Sequence, residues 1–197
     1  GCLSSDSQAI IDEFNKLIAE KGLEEKVTVN KVGCFGFCSQ GPFVKIFPED
    51  TLYRTVGVAD VAEIVEKDLI NNEIVERLLY VDPISGQKVQ KQDEINFYKK
   101  QLRLALHGCG TIDPENIDEA LGDGAFQGIT KALKMTQQEV VDEVLASGLR
   151  GRGGGGFPTG RKWQFALNQQ SEEKYVVCNG DEGDPGAFMD RSILEGN

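Results

Sequence analysis

The sequence predicts an α/β protein, because helical and strand-like patterns alternate along its 197 residues. Apolar side chains recur at helical spacing from Ile10 to Ile18, whereas β-branched residues alternate with polar ones from Val27 to Val32. Hydrophobic residues make up 40% of the chain, which is enough to form a packed core. We expect two units, residues 1–81 and 93–197, joined by a polar, turn-rich linker at 82–92.

Composition and charge exclude several classes of protein. The net charge of −11 argues against a general nucleic-acid binder, which needs a basic face. No apolar run in the sequence approaches the roughly 20 residues that a membrane span requires. The five cysteines are too sparse for a disulfide-stapled secreted scaffold, so we expect a reducing, cytoplasmic setting.

The first unit has the pattern of a small α/β domain that lacks its first strand. Asp6, together with the serines before it, can cap the first helix, and Gly22 supplies a stop after it. The alternating segment then predicts a strand, and a hairpin is predicted from residues 43–47 and 52–56. A second helix is predicted to start with Asp60 as its cap.

The second unit begins with three predicted helices. The first covers the apolar positions of residues 97–106, and the second starts at Pro114, because proline suits a first helical position. The third begins at a capping box formed by Thr136 and Glu139 and ends at Gly148. Beyond these we predict a helix over Trp163–Asn168, a buried strand over Tyr175–Cys178 and a helix through Arg191–Glu195.

The cysteines offer a candidate metal site. Cys34 and Cys38 share a glycine-containing loop, and Cys2 precedes the first helix, whose dipole favours a thiolate. Soft thiolate ligands suit an iron–sulfur cluster or zinc, although zinc is disfavoured because no paired Cys-x2-Cys elements are present. On spacing alone, two buried cysteines and a terminal one explain the pattern equally well. Cys109 and Cys178 are predicted to be structural.

A glycine-rich loop follows the third helix of the second unit. It holds six glycines between Gly151 and Gly160, which form neither helix nor ordinary strand without a large entropic cost. Its backbone N–H groups, followed by a helix N-terminus, predict a nest for a phosphate or pyrophosphate. Neither the Rossmann nor the Walker A pattern fits, and the interleaved Arg, Phe, Pro and Trp residues disfavour a flexible linker. Four cations add positive charge to the loop: Arg150, Arg152, Arg161 and Lys162.

Polar side chains follow the predicted strand at 175–178. The carboxyl end of a buried strand is the usual ligand position of an α/β sheet. Asn179 can both donate and accept hydrogen bonds, and Asp181 and Glu182 can accept them from the hydroxyl groups of a ribityl chain or a ribose. The alternative is an acidic turn whose carboxylates cap helices.

The first unit resembles the thioredoxin-like 2Fe–2S ferredoxins. The resemblance lies in the order Gly-Cys, helix, strand, Gly-Cys-x3-Cys-Ser-x-Gly-Pro. It implies that Cys2, Cys34 and Cys38 are the second, third and fourth cluster ligands, and that the first lies upstream of Gly1.

The glycine loop and the segment Asn179–Arg191 resemble the FMN- and NADH-binding flavoprotein subunit of the respiratory complex I superfamily. With the fused ferredoxin-like unit and the segment Cys109–Pro114, the chain is most similar to the beta subunit of NAD-linked, electron-bifurcating FeFe hydrogenases. The resemblance implies that the second unit is a helical lead-in followed by the start of an α/β FMN-binding domain. It implies cofactor contacts at Gly151, Arg152, Gly153, Gly154, Gly156, Phe157, Lys162, Asn179, Asp181 and Glu182.

The resemblance also implies an activity. NADH would reduce FMN, which would pass single electrons to iron–sulfur clusters, and no side chain is required as a general base. The family's 4Fe–4S cysteines are expected in a later segment, so the chain is interpreted as truncated at both ends. The implied partners are other subunits of a hydrogenase or dehydrogenase complex, and a ferredoxin. The alternatives are a formate dehydrogenase flavoprotein subunit, a flavin-free 2Fe–2S carrier and a non-catalytic assembly subunit.

Overall fold

The structure is a computed structural model that describes residues 2–34 and 36–196, without the side chains of residues 3 and 4. It combines helices with small antiparallel sheets, which confirms the predicted α/β class. Contacts group the chain into one compact unit of Gly1–Asn116 with Phe188–Asn197 and a second unit of Ile117–Ala187. The elements are α1 (Ser7–Glu20), β1 (Val44–Ile46), β2 (Thr51–Tyr53), α2 (Val58–Ile64), β3 (Tyr80–Val81), β4 (Lys88–Val89), α3 (Asn96–Lys99), α4 (Ile117–Gly122), α5 (Gln127–Ala132), α6 (Gln137–Ala146), α7 (Thr159–Asn168) and α8 (Met189–Gly196).

Helix α1 follows the predicted periodicity. Ile10, Phe14 and Ile18 are buried on one face, where they form part of the main hydrophobic core of the first unit. Gly22 follows the helix with a φ of 66°, the left-handed conformation expected of a helix stop. Asp6 occupies the N-cap position, but its side chain makes no capping hydrogen bond.

The predicted strand at 27–32 is wrong, although its alternation is real. Val27 and Val29 pack against the main core, while Thr28 and Asn30 are exposed. Within the described residues, however, the segment belongs to neither two-stranded sheet. Alternating burial does not by itself make a strand, because a β-ladder also needs a neighbouring strand with which to form hydrogen bonds.

The predicted hairpin is confirmed by the antiparallel pair β1–β2, in which Val44 lies opposite Tyr53 and Ile46 opposite Thr51. The helix predicted from Asp60 begins earlier, at Val58, and continues beyond α2 as a π-helical turn over Val65–Ile70. Asp60 still caps this helix, from its third position: its carboxylate accepts the backbone N–H of Gly57 at 2.8 Å.

The residues predicted as linker, 82–92, contain the turn of a second hairpin and its second strand, β4. The turn is fixed by Asp82, whose Oδ1 accepts the backbone N–H groups of Ile84 at 3.0 Å and Ser85 at 2.8 Å. The division of the chain at this linker stays a prediction.

Two of the three helices predicted after the linker differ from the structure. Residues 97–106 form only the short helix α3, and Leu102 beyond it is 84% exposed, so that helix prediction was wrong beyond its first turn. The second helix, α4, begins at Ile117 rather than Pro114, because Asp113 Oδ1 accepts the N–H of Glu115 at 2.9 Å and forms a turn first.

The third helix, α6, confirms the capping box. Thr136 Oγ1 accepts the N–H of Glu139 at 3.3 Å, and the Glu139 carboxylate accepts the N–H of Thr136 at 2.7 Å. Gly148 follows the helix with a φ of 68°. Helix α7 starts at Thr159, before the predicted Trp163, and the last predicted helix is present as α8.

The predicted buried strand at 175–178 is wrong. The segment lies outside every described helix and strand, and Tyr175 and Val177 are 80% and 85% exposed. Within the described residues no strand lies beside it, so its apolar side chains have no sheet in which to become buried. None of the helices in the described part of the chain is long and apolar enough to cross a membrane.

Candidate functional site

Cys2, Cys34 and Cys38 lie close to one another in the first unit, and Cys2 Sγ packs against Gly41. A Cβ atom added to Gly41 would lie 2.9 Å from Cys2 Sγ and 3.8 Å from the carbonyl oxygen of Cys38. Cys34 Sγ accepts the backbone N–H of Gly36 at 3.2 Å, and the thiol of Cys38 is hydrogen-bonded to Cys34. The turn before α1 and the loop before β1 therefore bring together the three predicted cluster ligands.

The sulfur atoms of this group influence one another electrostatically. Burial is the main cause that raises the pKa of Cys2, and charge on Cys34 raises it further, while a backbone hydrogen bond from Phe43 lowers it. Burial also raises the pKa of Cys38, again with a contribution from Cys34. Like charges at such sites repel, so a bound cationic metal centre would stabilise the thiolates.

The donor set fits a 2Fe–2S cluster as three of its four thiolate ligands. Gly41 supports this fit, since any side chain there would press on Cys2 Sγ. The fit to a single ion is poorer: within residues 2–34 and 36–196, no group of three or more His, Cys, Asp and Glu side chains is arranged to hold one metal ion. A closed zinc site needs four ligands around one ion, and the described part of the chain does not form one.

The other two cysteines lie apart from this group. Cys109 is buried, and its thiol donates a hydrogen bond to the carbonyl oxygen of Ser192 in α8 at 3.5 Å. This contact agrees with the predicted structural role. Cys178 is exposed in the irregular segment before Asn179.

The glycine loop of the second unit is closed at its base by backbone hydrogen bonds. Gly151 N–H donates to the carbonyl of Phe157 at 2.8 Å, and Thr159 N–H donates to that of Leu149 at 3.0 Å. Arg150 stiffens the loop, because its guanidinium donates to the carbonyl of Gly156 at 2.6 Å. A closed loop with helix α7 directly after it is the predicted arrangement for an anion nest.

The tip of this loop is open to a ligand. Added Cβ atoms at Gly153, Gly154 and Gly155 would meet nothing within 4 Å, and their N–H groups make no hydrogen bond among the described residues. Three exposed cations lie in the loop and the first turn of α7. Their side chains make no hydrogen bond or ion pair with any residue that the structure describes: Arg152, Arg161 and Lys162. This donor set suits the phosphate end of a nucleotide.

The groups predicted to hold the flavin ring and ribityl chain are not assembled around the loop. Asn179 Oδ1 accepts the N–H of Asp181 at 2.9 Å within its own turn, and within the described residues neither side chain is hydrogen-bonded to the loop. Glu182 is partly buried, and the ring of Phe157 is half exposed, 6.3 Å from that of Phe165. The phosphate end of the predicted site therefore fits FMN, whereas its ring end is not formed by these residues.

Two shallow grooves lie elsewhere in the second unit. One has a volume of about 660 Å³ beside α5, with Phe126 and Met135 in its lining. The other, of about 420 Å³, lies between α5, α6 and α7 and includes Trp163. Neither contains the predicted cofactor-binding residues, so these grooves do not identify the flavin site.

Sequence reasoning missed an aromatic group beside the cysteine loop. Phe37, next to Cys38, stacks on Phe97 with ring centroids 4.6 Å apart, and Tyr98 packs edge-on to both. No local pattern in the sequence indicated this group, because its rings come from segments far apart along the chain. The partner rings come from a segment that was assigned to the second unit.

Comparisons with known proteins match parts of the chain. Residues 144–197 match the Nuo51 FMN-binding domain. The chain is 59% identical over 99 residues to the NADP-reducing hydrogenase subunit HndC of Solidesulfovibrio fructosivorans, covering 50% of this chain and 20% of that protein. It is 54% identical over 94 residues to an NADH-quinone oxidoreductase subunit of Aquifex aeolicus, covering 48% of this chain and 22% of that protein. The chain thus spans about a fifth of the length of these two relatives.

A shorter relative is covered more fully. The chain is 44% identical over 77 residues to a 2Fe-2S ferredoxin of Clostridium pasteurianum, which covers 39% of this chain and 76% of the ferredoxin. Among solved structures, a thioredoxin-like 2Fe-2S ferredoxin from Aquifex aeolicus matches 40% of this chain and 72% of its own, with 34% identity and a TM-score of 0.39.

Proposed function

The chain belongs to the 2Fe-2S ferredoxin family, and we propose that it is part of an iron–sulfur flavoprotein subunit that passes electrons between NAD(H), FMN and iron–sulfur clusters. The observation that carries the proposal is the proximity of the Cys2, Cys34 and Cys38 side chains to one another. In this interpretation Cys2, Cys34 and Cys38 hold the 2Fe–2S cluster together with a fourth thiolate from outside residues 2–34 and 36–196.

The glycine loop supplies the flavin half of the proposal. The open N–H groups of Gly153, Gly154 and Gly155 would bind the FMN phosphate, and Arg152 and Lys162 would neutralise its charge. Bound FMN would supply the chemistry that accepts a hydride and releases electrons singly. The protein residues would position the cofactor and exclude water, and none of them need act as a general base.

The ring end of the flavin site requires a rearrangement in this proposal. Asn179, Asp181 and Glu182 would approach the cofactor only when the segment at 175–178 pairs with a neighbouring strand. The match of residues 144–197 to the Nuo51 FMN-binding domain supports FMN binding by this part of the chain. A flavin-free electron carrier is the second candidate, and the open arrangement of residues 175–187 in the structure favours it.

The proposed setting is a multisubunit hydrogenase or dehydrogenase in the cytoplasm. The relatives carry the names of subunits of a hydrogenase and of an NADH-quinone oxidoreductase, which supports an assembly of this kind. We propose a neighbouring subunit, or a soluble ferredoxin, as the partner that exchanges electrons with the cluster.

One reconstitution experiment with two variants tests both halves of the proposal. The chain is incubated with iron, sulfide and FMN under reducing conditions, desalted, and assayed for bound iron and flavin. Cys34→Ser is expected to lose the bound iron but keep FMN, whereas Lys162→Ala is expected to weaken FMN binding about 5- to 10-fold and keep the iron. Each variant is therefore the control for the other.

The outcomes separate the candidates. Iron without flavin in the unmodified chain would favour the flavin-free carrier. Iron that survives Cys34→Ser, or is lost equally from Cys178→Ser, would contradict the assignment of the cluster ligands.

A further inference from the structure

An aromatic cluster connects the cysteine loop with a segment that follows the second hairpin. It consists of five rings, and Phe37 of the loop is at its centre. The ring of Phe37 lies 4.6 Å from that of Phe97 with an interplanar angle of 13°, and 5.7 Å from that of Tyr80. Centroid distances in this range are those of favourable aromatic pairs. The members of the aromatic cluster are Phe37, Phe43, Tyr80, Phe97 and Tyr98.

The segment that carries Phe97 is firmly anchored. Ile95 is fully buried and Tyr98 is 7% exposed, and together with Leu52 they form the second hydrophobic core of the first unit. Asn96 donates a hydrogen bond to the Asp82 carboxylate at 2.7 Å, which ties the same segment to the β3–β4 turn. Phe97 is 40% exposed, so it is held by its neighbours rather than buried beneath them.

The aromatic cluster lies next to the cysteine site on two sides. Phe37 directly precedes Cys38, and the backbone of Phe43 is hydrogen-bonded to Cys2. Tyr98 packs edge-on against Phe37 of the loop, with ring centroids 6.2 Å apart. A displacement of Phe37 would therefore move the cysteine loop.

We propose that Phe97 is a positioning residue for the cluster site: by stacking on Phe37, it holds the Cys34–Cys38 loop in the conformation that binds the metal. The inference rests on the proposed function, because it assumes that this loop binds a cluster. The inference adds that the cysteine site needs a residue outside 1–81, namely Phe97, to be well ordered. A ferredoxin-like fragment that ended before α3 would lose half of the stack.

Hydrogen exchange of the chain without metal tests the positioning directly. Within the loop, the N–H of Gln40 donates to the carbonyl of Phe37, and that of Gly41 to the carbonyl of Cys38. Phe97→Ala is expected to speed exchange of these two amides about 2- to 10-fold, the range that follows from the loss of one aromatic pair. Exchange in α1 and α6 should not change.

Two further variants serve as matched controls. Phe97→Tyr keeps the ring and is expected to restore slow exchange, since its hydroxyl group can reach solvent. Leu102→Ala removes an exposed apolar side chain from the same part of the chain and should have no effect. Equal exchange rates in Phe97→Ala and the unmodified chain would overturn the proposal.

Iron retention separates a positioning role from a merely structural one. The chain and its variants are loaded with iron and sulfide in dithiothreitol, whose thiolates complete the coordination that three cysteines leave open. Release of iron to a chelator is expected to be about 2- to 10-fold faster from Phe97→Ala than from Phe97→Tyr. Equal release would overturn the inference and leave the cluster site standing, whereas failure of the unmodified chain to take up iron would overturn the proposed cluster site itself.

Discussion

At the scale of single residues, a buried pair of polar side chains fixes the core of the first unit. The hydroxyl of Tyr53 donates to Asp68 Oδ2 at 2.5 Å and accepts the backbone N–H of Val75 at 3.0 Å. Both side chains are almost fully buried. Burial raises the pKa of Asp68, although the hydrogen bond from Tyr53 lowers it in part. The pair therefore joins the β1–β2 hairpin to the turn that follows α2. This link requires a carboxyl group to be buried in apolar surroundings, which disfavours its charged form.

This raised pKa makes the stability of the fold depend on pH. An unfolded aspartate titrates near pH 3.9. The folded protein binds the proton on Asp68 more tightly than the unfolded chain does. The free energy of unfolding therefore falls as the pH rises from the unfolded pKa through the raised pKa of the folded state, and it falls no further above the raised pKa. Asp68→Asn keeps an acceptor for Tyr53 but cannot become charged. As the pH rises over this range, the unmodified chain is therefore expected to lose stability relative to the variant. Urea unfolding at several pH values from 4 to 7 measures it.

Asp82 provides the control with the opposite sign. Hydrogen bonds from the backbone of Ser85, and then from Ile84, lower the pKa of Asp82, so its contribution to stability is present above the unfolded pKa and is lost as the pH falls through the lowered value. Asp82→Asn is therefore expected to be destabilising at pH 7 and less so at pH 3. A constant difference between Asp68→Asn and the unmodified chain from pH 4 to 7 would contradict the assignment to Asp68.

At the scale of elements, helices α6 and α7 pack closely through a glycine. A Cβ atom added to Gly160 would lie 2.7 Å from the backbone nitrogen of Leu145 and 2.8 Å from its Cα, closer than real Cβ contacts. Since backbone atoms cannot move aside as a side-chain end can, the two helices would have to separate. The contact also places the start of α7, and with it the end of the glycine loop, against α6.

Gly160→Ala is accordingly expected to destabilise the second unit by about 1–3 kcal/mol, the usual cost of overpacking. Chemical unfolding followed by the fluorescence of Trp163, the single tryptophan, would measure the change. Gly128→Ala is the matched control, because an added Cβ there meets nothing within 4 Å and alanine favours a helix by up to about 1 kcal/mol. If both substitutions had the same effect, the close contact between α6 and α7 would not be the cause.

The elements that could be predicted from the sequence are those specified locally. The periodicity of α1, the β1–β2 hairpin and the capping box at Thr136 all depend on residues close in sequence, and all three are present. The strands predicted at 27–32 and 175–178 are absent from the described sheets, because pairing depends on a partner that local alternation does not specify.

In the candidate functional site, too, only the features that depend on residues close in sequence could be predicted. Cys34 and Cys38 come from one loop, so their proximity could be predicted, whereas Cys2 was a candidate from its position before the first helix and was assigned as a cluster ligand through the resemblance to ferredoxins. The stack of Phe37 on Phe97 joins residues far apart in sequence, and no local pattern indicated it. The ring end of the flavin site could not be confirmed, because its geometry depends on a sheet that the described residues do not form.

At the scale of the whole molecule, the segment at 169–187 differs from the two packed parts of the chain. It contains no helix or strand, and an apolar run within it is exposed, including Tyr175 and Val177. Such runs have the features of a strand that lacks its neighbours, and they are prone to associate with other chains. By contrast, Tyr53 and Tyr98 lie in the two hydrophobic cores of the first unit.

Limited proteolysis with chymotrypsin distinguishes these environments, because the protease cleaves after exposed aromatic residues in locally unfolded backbone. The first cut is expected after Tyr175, well before any cut after Tyr53 or Tyr98, whose cleavage requires opening of a core. Mass spectrometry of the early fragments identifies the site, and Tyr175→Ser should slow the first cut without changing the later ones. Protection of Tyr175 to the same degree as Tyr53 would mean that the segment is packed in solution, and the strand predicted at 175–178 would then have to be reconsidered with a partner strand beside it.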